Sequence, residues 1–186
     1  MDRVNEESRE IVISSRDVLV TRTDHRGIIN YVNDTFLKVT GFSKNEVIGQ
    51  PHNIIRHPDM PKVIFYLMWK NIKRRKNMVA IVKNYTKYGD FYWVTTDFKH
   101  EEDFSGAIKN YIAFRRPINQ DNIEVIESLY SQLLDIERSG GVDASVKFFN
   151  RYLKDRGVEY DQFIEDILLE PPLREVIMKK LKTLFS

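Results

Sequence analysis

Residues 49–61 read GQPHNIIRHPDMP. These thirteen positions hold three prolines, two histidines and the adjacent pair Arg56-His57, and they lie between two segments that read as helices. A packed helix-to-helix connection needs nothing so specific. Proline fixes the backbone and removes a donor, and polar donors gathered on a connection between rigid elements are a common build for a ligand site. The stretch is therefore expected to gather polar donors that face a ligand.

Upstream, Asp17–Thr23 is rich in Val and Thr and reads as a strand. His25-Arg26-Gly27 supplies a turn and Ile28–Val32 the returning strand, which makes a β-hairpin. Asp34 is expected to cap a short helix that Gly41 ends. Ser43 and Glu46 have capping-box spacing for a second helix over Lys44–Val47.

Downstream, Pro61 suits the first turn of a helix reaching Lys73, with Val63 and Leu67 on one face and Ile64, Met68 and Ile72 on the next. Phe65 and Trp69 add bulk at i, i+4. Met78–Tyr85, Phe91–Lys99 and Ala107–Arg115 then read as strands, with turns at 87–90 and near 101–106. Two strands, a series of helices and three strands argue for an α+β fold: one antiparallel sheet with helices on one face and a cavity between the layers.

From Gln120 the pattern changes. Asn122–Arg138 carries the apolar stripe Ile123, Ile126, Tyr130, Leu133 and Ile136, and Gly140-Gly141 breaks it. Ala144–Lys154 and Tyr160–Leu169 read as further helices, and Leu173–Phe185, after Pro171-Pro172, as a fourth. The expected division is a lead-in over 1–15 (residues 1–10 flexible or helical), a mixed domain over 16–118 and a helical region over 119–186. The helical region has apolar faces that can pack on one another, on the sheet, or on a second copy in a homodimer.

Composition removes several function classes. The 186 residues are 30% charged yet carry a net charge of only +2, which gives no electrostatic case for nucleic acid. Lys73-Arg74-Arg75-Lys76 reads as a solvated helix end that complements the helix dipole. Cysteine is absent, so disulfides, thiolate ligands and a cysteine nucleophile are excluded. The polar N-terminus is no secretion signal, and the apolar run Val63–Trp69 is too short to span a bilayer. A soluble cytoplasmic protein without membrane insertion is expected. The histidines at 25, 52, 57 and 100 form no spaced pair with carboxylates on one element, so no metal site is expected. No nucleophile-base pair, phosphate-cradling loop or kinase signature points to an enzyme.

Several stretches then fall into one pattern. They are Tyr31-Val32-Asn33-Asp34-Thr35-Phe36, Gly41-Phe42, the 49–61 stretch, Phe65, Met68-Trp69, Val82-Lys83-Asn84, Lys87, Gly89-Asp90 and Tyr92-Trp93-Val94. Together they resemble a PAS domain, and more narrowly the FAD-binding PAS domain of Aer-type aerotaxis and energy-taxis sensors, over about residues 16–117. The RHPDMP run and the spacing from Lys83-Asn84 to Tyr92-Trp93-Val94 carry the narrower likeness.

The resemblance implies a five-stranded antiparallel sheet with FAD between sheet and helices. By motif position it places Arg56, His57 and Asp59 at the cofactor, with Asn33, Trp69 and Asn84 as further contacts. Arg and His donors suit a pyrophosphate and ribityl chain. The isoalloxazine ring needs an apolar, aromatic-lined slot with a few hydrogen bonds, and an Asn offers both donor and acceptor. There is one departure. Met78 stands where the family has a tryptophan; it is apolar and flexible but neither stacks as a plane nor donates an indole hydrogen bond.

Plainer readings stand beside these. His57 beside Pro58 can cap a helix end, Arg56 and Asp59 can pair as ions that fix the loop, and Trp93 reads as core. The resemblance implies a cytoplasmic redox or energy sensor that signals through its helical tail to a chemoreceptor-type partner in trans. The alternatives are a cofactor-free PAS adaptor whose cavity Met78 has closed, a haem-binding PAS sensor, and a flavoenzyme, for which no dinucleotide fingerprint is present.

Overall fold

The computed structural model describes residues 8–169. The chain divides into two compact units, Met1–Pro117 and Ile118–Ser186.

The first unit is built on five strands: β1 (Leu19–Asp24), β2 (Ile29–Val32), β3 (Met78–Tyr85), β4 (Phe91–Glu102) and β5 (Ile108–Pro117). They form one antiparallel sheet in the order β2-β1-β5-β4-β3, so β2 and β3 are its two edges. Directly paired residues share a face, and the register sorts the side chains. Thr21 pairs with Ala113, Ala113 with Phe98, Arg115 with Thr96, Val94 with Val82 and Tyr92 with Asn84. These residues form the inner face. Trp93 pairs with Lys83 and Phe91 with Tyr85 on the outer face.

Three α-helices connect β2 to β3: α1 (Asp34–Thr40), α2 (Lys44–Val47) and α3 (Lys62–Ile72). The cap of α1 is Asn33 rather than the expected Asp34. Asn33 has extended torsions, and its side-chain oxygen accepts from the Phe36 N–H at 3.0 Å. Gly41 closes this helix at φ 72°, and a Cβ there would lie 2.7 Å from the Tyr88 ring, so both torsion and space require glycine. The Ser43–Glu46 box is present: the Glu46 carboxylate accepts from the Ser43 N–H and from its hydroxyl, each at 2.8 Å. On α3, Val63, Ile64, Met68 and Ile72 are buried against the sheet layer.

The lead-in differs from expectation within its described part. Phe91 at the start of β4 accepts from Ile11 N–H at 2.7 Å and donates to the Arg9 carbonyl at 3.0 Å. Residues 8–11 are thus held beside β4 by backbone bonds, and Ile13 is buried. β5 also runs past its expected end at Arg115 to Pro117. Two more ladder positions pair there, Thr95 with Arg116 and Val94 with Pro117.

In the second unit, α4 (Gln120–Lys154) is two helical segments separated at Gly141, where φ is 74° and ψ −178°. A Cβ on Gly140 would meet the Ala144 Cβ at 2.7 Å, which explains the paired glycines. Helix α5 (Tyr160–Leu168) buries Phe163, Ile164 and Ile167, and the Phe163 ring packs edge-on against Phe149 and Tyr152. The helix expected over Leu173–Phe185 lies outside the described residues. Among the described residues no helix is long and apolar enough to cross a membrane.

Candidate functional site: a strapped cavity on the inner face of the sheet

The 49–61 stretch runs from one edge of the sheet to the other. At its start, Gly49 N–H donates to the Ile29 carbonyl at 2.8 Å, Ile29 N–H to Gln50 at 2.9 Å, and His52 N–H to Gly27 at 3.0 Å. Here the stretch pairs along β2. Residues His52–Ile55 form a short 3₁₀ turn. Arg56 then makes an antiparallel bridge with Asn84 on β3, and Met60 Sδ accepts the Lys83 N–H at 3.2 Å. The prolines are placed accordingly: Pro51 and Pro61 cap the 3₁₀ turn and α3 at φ −61°. The strap satisfies backbone groups on both edge strands, where an open edge would invite pairing with another chain.

Between strap, α3 and sheet lies a cavity of about 340 Å³. Phe65, Trp69, Phe98 and Tyr111 give it aromatic walls, and Thr21, His52, Asn84 and Arg115 give it polar ones. Trp69 stands edge-on to Tyr111 with ring centroids 5.2 Å apart.

Arg115 is 1% exposed. Its Nη1 donates to Thr21 Oγ1 at 3.0 Å and its Nη2 to His52 Nε2 at 2.7 Å. A guanidinium only donates, so Nε2 is the bare nitrogen of a neutral imidazole. Burial and then the Arg115 charge push the His52 pKa down to about 3, in agreement with that assignment. Burial lowers the Arg115 pKa to about 10, which still leaves it cationic at neutral pH. Among the described residues no carboxylate pairs with Arg115, and its Nε has no hydrogen-bond partner.

Asn84 is 3% exposed and its Nδ2 has no partner either. Its cross-strand neighbour Tyr92 has a phenol pushed up to about 12 by burial, against the opposing pull of Arg115 and of the Asn84 amide. The two side chains feel each other, yet the Tyr92 hydroxyl completes no hydrogen bond of good geometry. Buried donors are rarely left unpaired, since each costs about 1–3 kcal/mol. Both residues line the cavity.

Of the seven residues expected at the cofactor, Arg56, Trp69 and Asn84 line this cavity and the other four do not. Arg56 lies over the Phe65 ring, 4.3 Å from its centroid, and donates to the Met60 carbonyl at 3.0 Å. His57 packs on Tyr85 at 4.1 Å and Phe91 at 5.8 Å, rings of the outer face. Its Nδ1 accepts the Asp59 N–H at 3.1 Å, and burial and then the Lys83 charge lower its pKa to about 4, with Asp59 opposing. Asp59 pairs with Lys83 Nζ at 2.9 Å. Along an extended strap consecutive side chains point to opposite faces, so Arg56 and His57 part company at the edge of β3.

Asn33 is consumed in tying α1 to β1. Besides the Phe36 cap, its oxygen accepts from Val20 N–H at 3.0 Å and its Nδ2 donates to the Val18 carbonyl at 2.8 Å. Met78 is buried outside the lining, with its sulfur 3.7 Å from Asn71 Nδ2, and the cavity stays open beside it. Thr21, His52 and Arg115 escaped the sequence reading. A charged residue at i+4 from Tyr111, in step with Ala113, was the available signal for Arg115.

Residues 29–115 match the PAS fold family. The chain is 40% identical over 115 residues to the aerotaxis receptor of Escherichia coli, a match covering 62% of this chain and 22% of that protein. It is 25% identical over 108 residues to the nitrogen fixation regulatory protein of Klebsiella pneumoniae, covering 58% of this chain and again 22% of the relative. The chain thus spans about a fifth of these curated relatives. A light-oxygen-voltage domain studied with a flavin analogue superposes with TM-score 0.54 at 20% identity, over 61% of this chain and 87% of that one. The dark structure of the blue-light photoreceptor Aureochrome1 LOV gives 0.51 at 21% identity, over 64% and 86%. These two likenesses concern the fold.

Proposed function

We propose that the PAS fold matched by residues 29–115 holds a flavin, as FAD, in its cavity, and that the protein is a redox or energy sensor. One observation carries this reading: Asn84 Nδ2 and Arg115 Nε, two buried donors without partners, belong to residues lining a cavity with aromatic walls. A planar ring with acceptor atoms along one edge matches that set. The volume, about 340 Å³, lies at the low end of small-molecule sites, which run from about 300 to 1,000 Å³, and suits a ring system rather than a whole dinucleotide. Arg56 on the strap is the donor suited to the polar remainder.

Flavin supplies reversible electron uptake, with more negative charge on the reduced ring. Arg115 keeps a positive charge buried in the cavity wall, oriented by Thr21 and by neutral His52. Asn84 supplies a hydrogen bond whose strength follows the charge on its partner. Asn84 also stands in a backbone bridge with Arg56, so its side-chain amide sits where β3 and the strap meet.

The 40% identity to an aerotaxis receptor supports energy taxis as the setting. On this reading the helical unit passes the signal on by protein contact, in the cytoplasm, to a chemoreceptor-type partner in trans or within a homodimer. Haem is less well served. His52 is the histidine in the cavity wall, and its Nε2 is already taken by Arg115, whereas an axial ligand needs a bare nitrogen.

The test is to denature the purified protein and identify what is released. FAD at about one per chain is expected. FMN in its place overturns the choice of FAD, and release of no flavin overturns the reading.

A further inference from the structure

His57, Asp59 and Lys83 form a cluster on the face of the sheet away from the cavity. Lys83 is buried, lies over Phe91 at 4.4 Å and Trp93 at 5.5 Å, and pairs with Asp59 at 2.9 Å. His57 is buried against Tyr85, and its Nδ1 and carbonyl take the N–H groups of Asp59 and Met60, each at 3.1 Å. On the backbone, Lys83 N–H is bound by Met60 Sδ, and one residue along Asn84 bridges to Arg56. The cluster therefore surrounds a place where strap and β3 are joined, and cavity residues Arg56 and Asn84 stand on the two sides of that joint.

We propose that His57, Asp59 and Lys83 are a clasp: they lock the end of the strap to the edge of β3 and so hold Arg56 and Asn84 in position for the ligand, touching no ligand themselves. This rests on the flavin reading for the identity of the ligand. The locking of the strap is a property of the protein alone.

In this account RHPDMP divides its labour by face. Arg56 serves the cavity, His57 and Asp59 serve the opposite side, and Met60 serves the seam. Substitution of His57 or Asp59 weakens binding although neither side chain lines the cavity. Asp59 is half exposed, so its ion pair is of modest strength, worth up to about a factor of five.

The experiment compares wild type, Asp59→Asn, Lys83→Met and the double variant, with Asp59→Glu as the conservative control. Two quantities are read: amide hydrogen exchange at Asp59 and Met60 in the flavin-free protein, and the dissociation constant for added FAD. Each single change is expected to speed exchange by about fivefold and to weaken FAD by a similar factor, with flavin absorption maxima unmoved. The double variant should be no worse than either single, because both break one tie, and Asp59→Glu should sit near wild type. Weaker FAD binding with unchanged exchange overturns the clasp, as does a double variant whose effects add. If wild type binds no flavin the flavin reading falls, and the exchange data still decide the clasp.

Discussion

Strand β3 presents two kinds of buried polar residue on its two faces. Lys83, on the outer side, is tied to Asp59 and covered by the rings of Phe91 and Trp93. Asn84, the next residue, turns inward and leaves its Nδ2 without a partner. Both are almost fully buried, so burial does not distinguish them. Satisfaction does. A buried polar group that has found protein partners holds structure together, and one that has not is waiting for something the chain does not supply.

Substitutions on the two faces should therefore differ in kind, and the largest effect belongs to the outer face. Trp93→Ala should cost about 3–5 kcal/mol of domain stability in urea unfolding, as large-to-small changes in packed sites do, with flavin absorption maxima unmoved in the folded protein. A shift in those maxima would mean that the faces are not separate.

On the inner face, Arg115→Met should weaken flavin binding roughly tenfold to a hundredfold, from a charge-assisted hydrogen bond of about 1.5–3 kcal/mol. The thermal midpoint of the flavin-free domain should hold or rise, since an apolar side chain of similar size replaces a buried charge without a carboxylate partner. A fall in that midpoint would make Arg115 structural and break the contrast. Asn84→Leu should act in the same direction and less, about fivefold in binding, again with no loss of flavin-free stability.

The imidazoles cross the divide, because half-buried His52 and buried His57 are both lowered, to about 3 and about 4, in each case chiefly by loss of solvent. Their folded values lie below the unfolded value near 6.5. Between these limits the unfolded chain binds more protons, so stability is full above about pH 6.5 and is lost as pH falls towards 4. Imidazole resonances of both residues should stay flat from pH 8 to pH 5 in the folded protein. Titration of either one near 6.5 would show that it is not held neutral by burial.

The order of strands and helices was legible because alternation and caps are local signals. The spacing Asn33 to Phe36 is also N-cap spacing, and the cap is what Asn33 does. The cavity chemistry was harder to read. Arg115-Arg116-Pro117 resembles the charged end of a strand, and only pairing with Thr96 and burial over Thr21 make Arg115 an interior cation. His52 depends on Arg115, 63 residues away, so no local pattern could announce it. For His57 and Asp59 the motif was visible and the face was not, because which way an extended residue points is fixed by register against β3. Register is a tertiary fact.

Flavin in the cavity is tested by the visible absorption spectrum of the purified protein after incubation with FAD and removal of the excess. The unpaired inner-face donors predict a retained two-band flavin spectrum. A colourless protein, or one with the single intense band of haem, would contradict it.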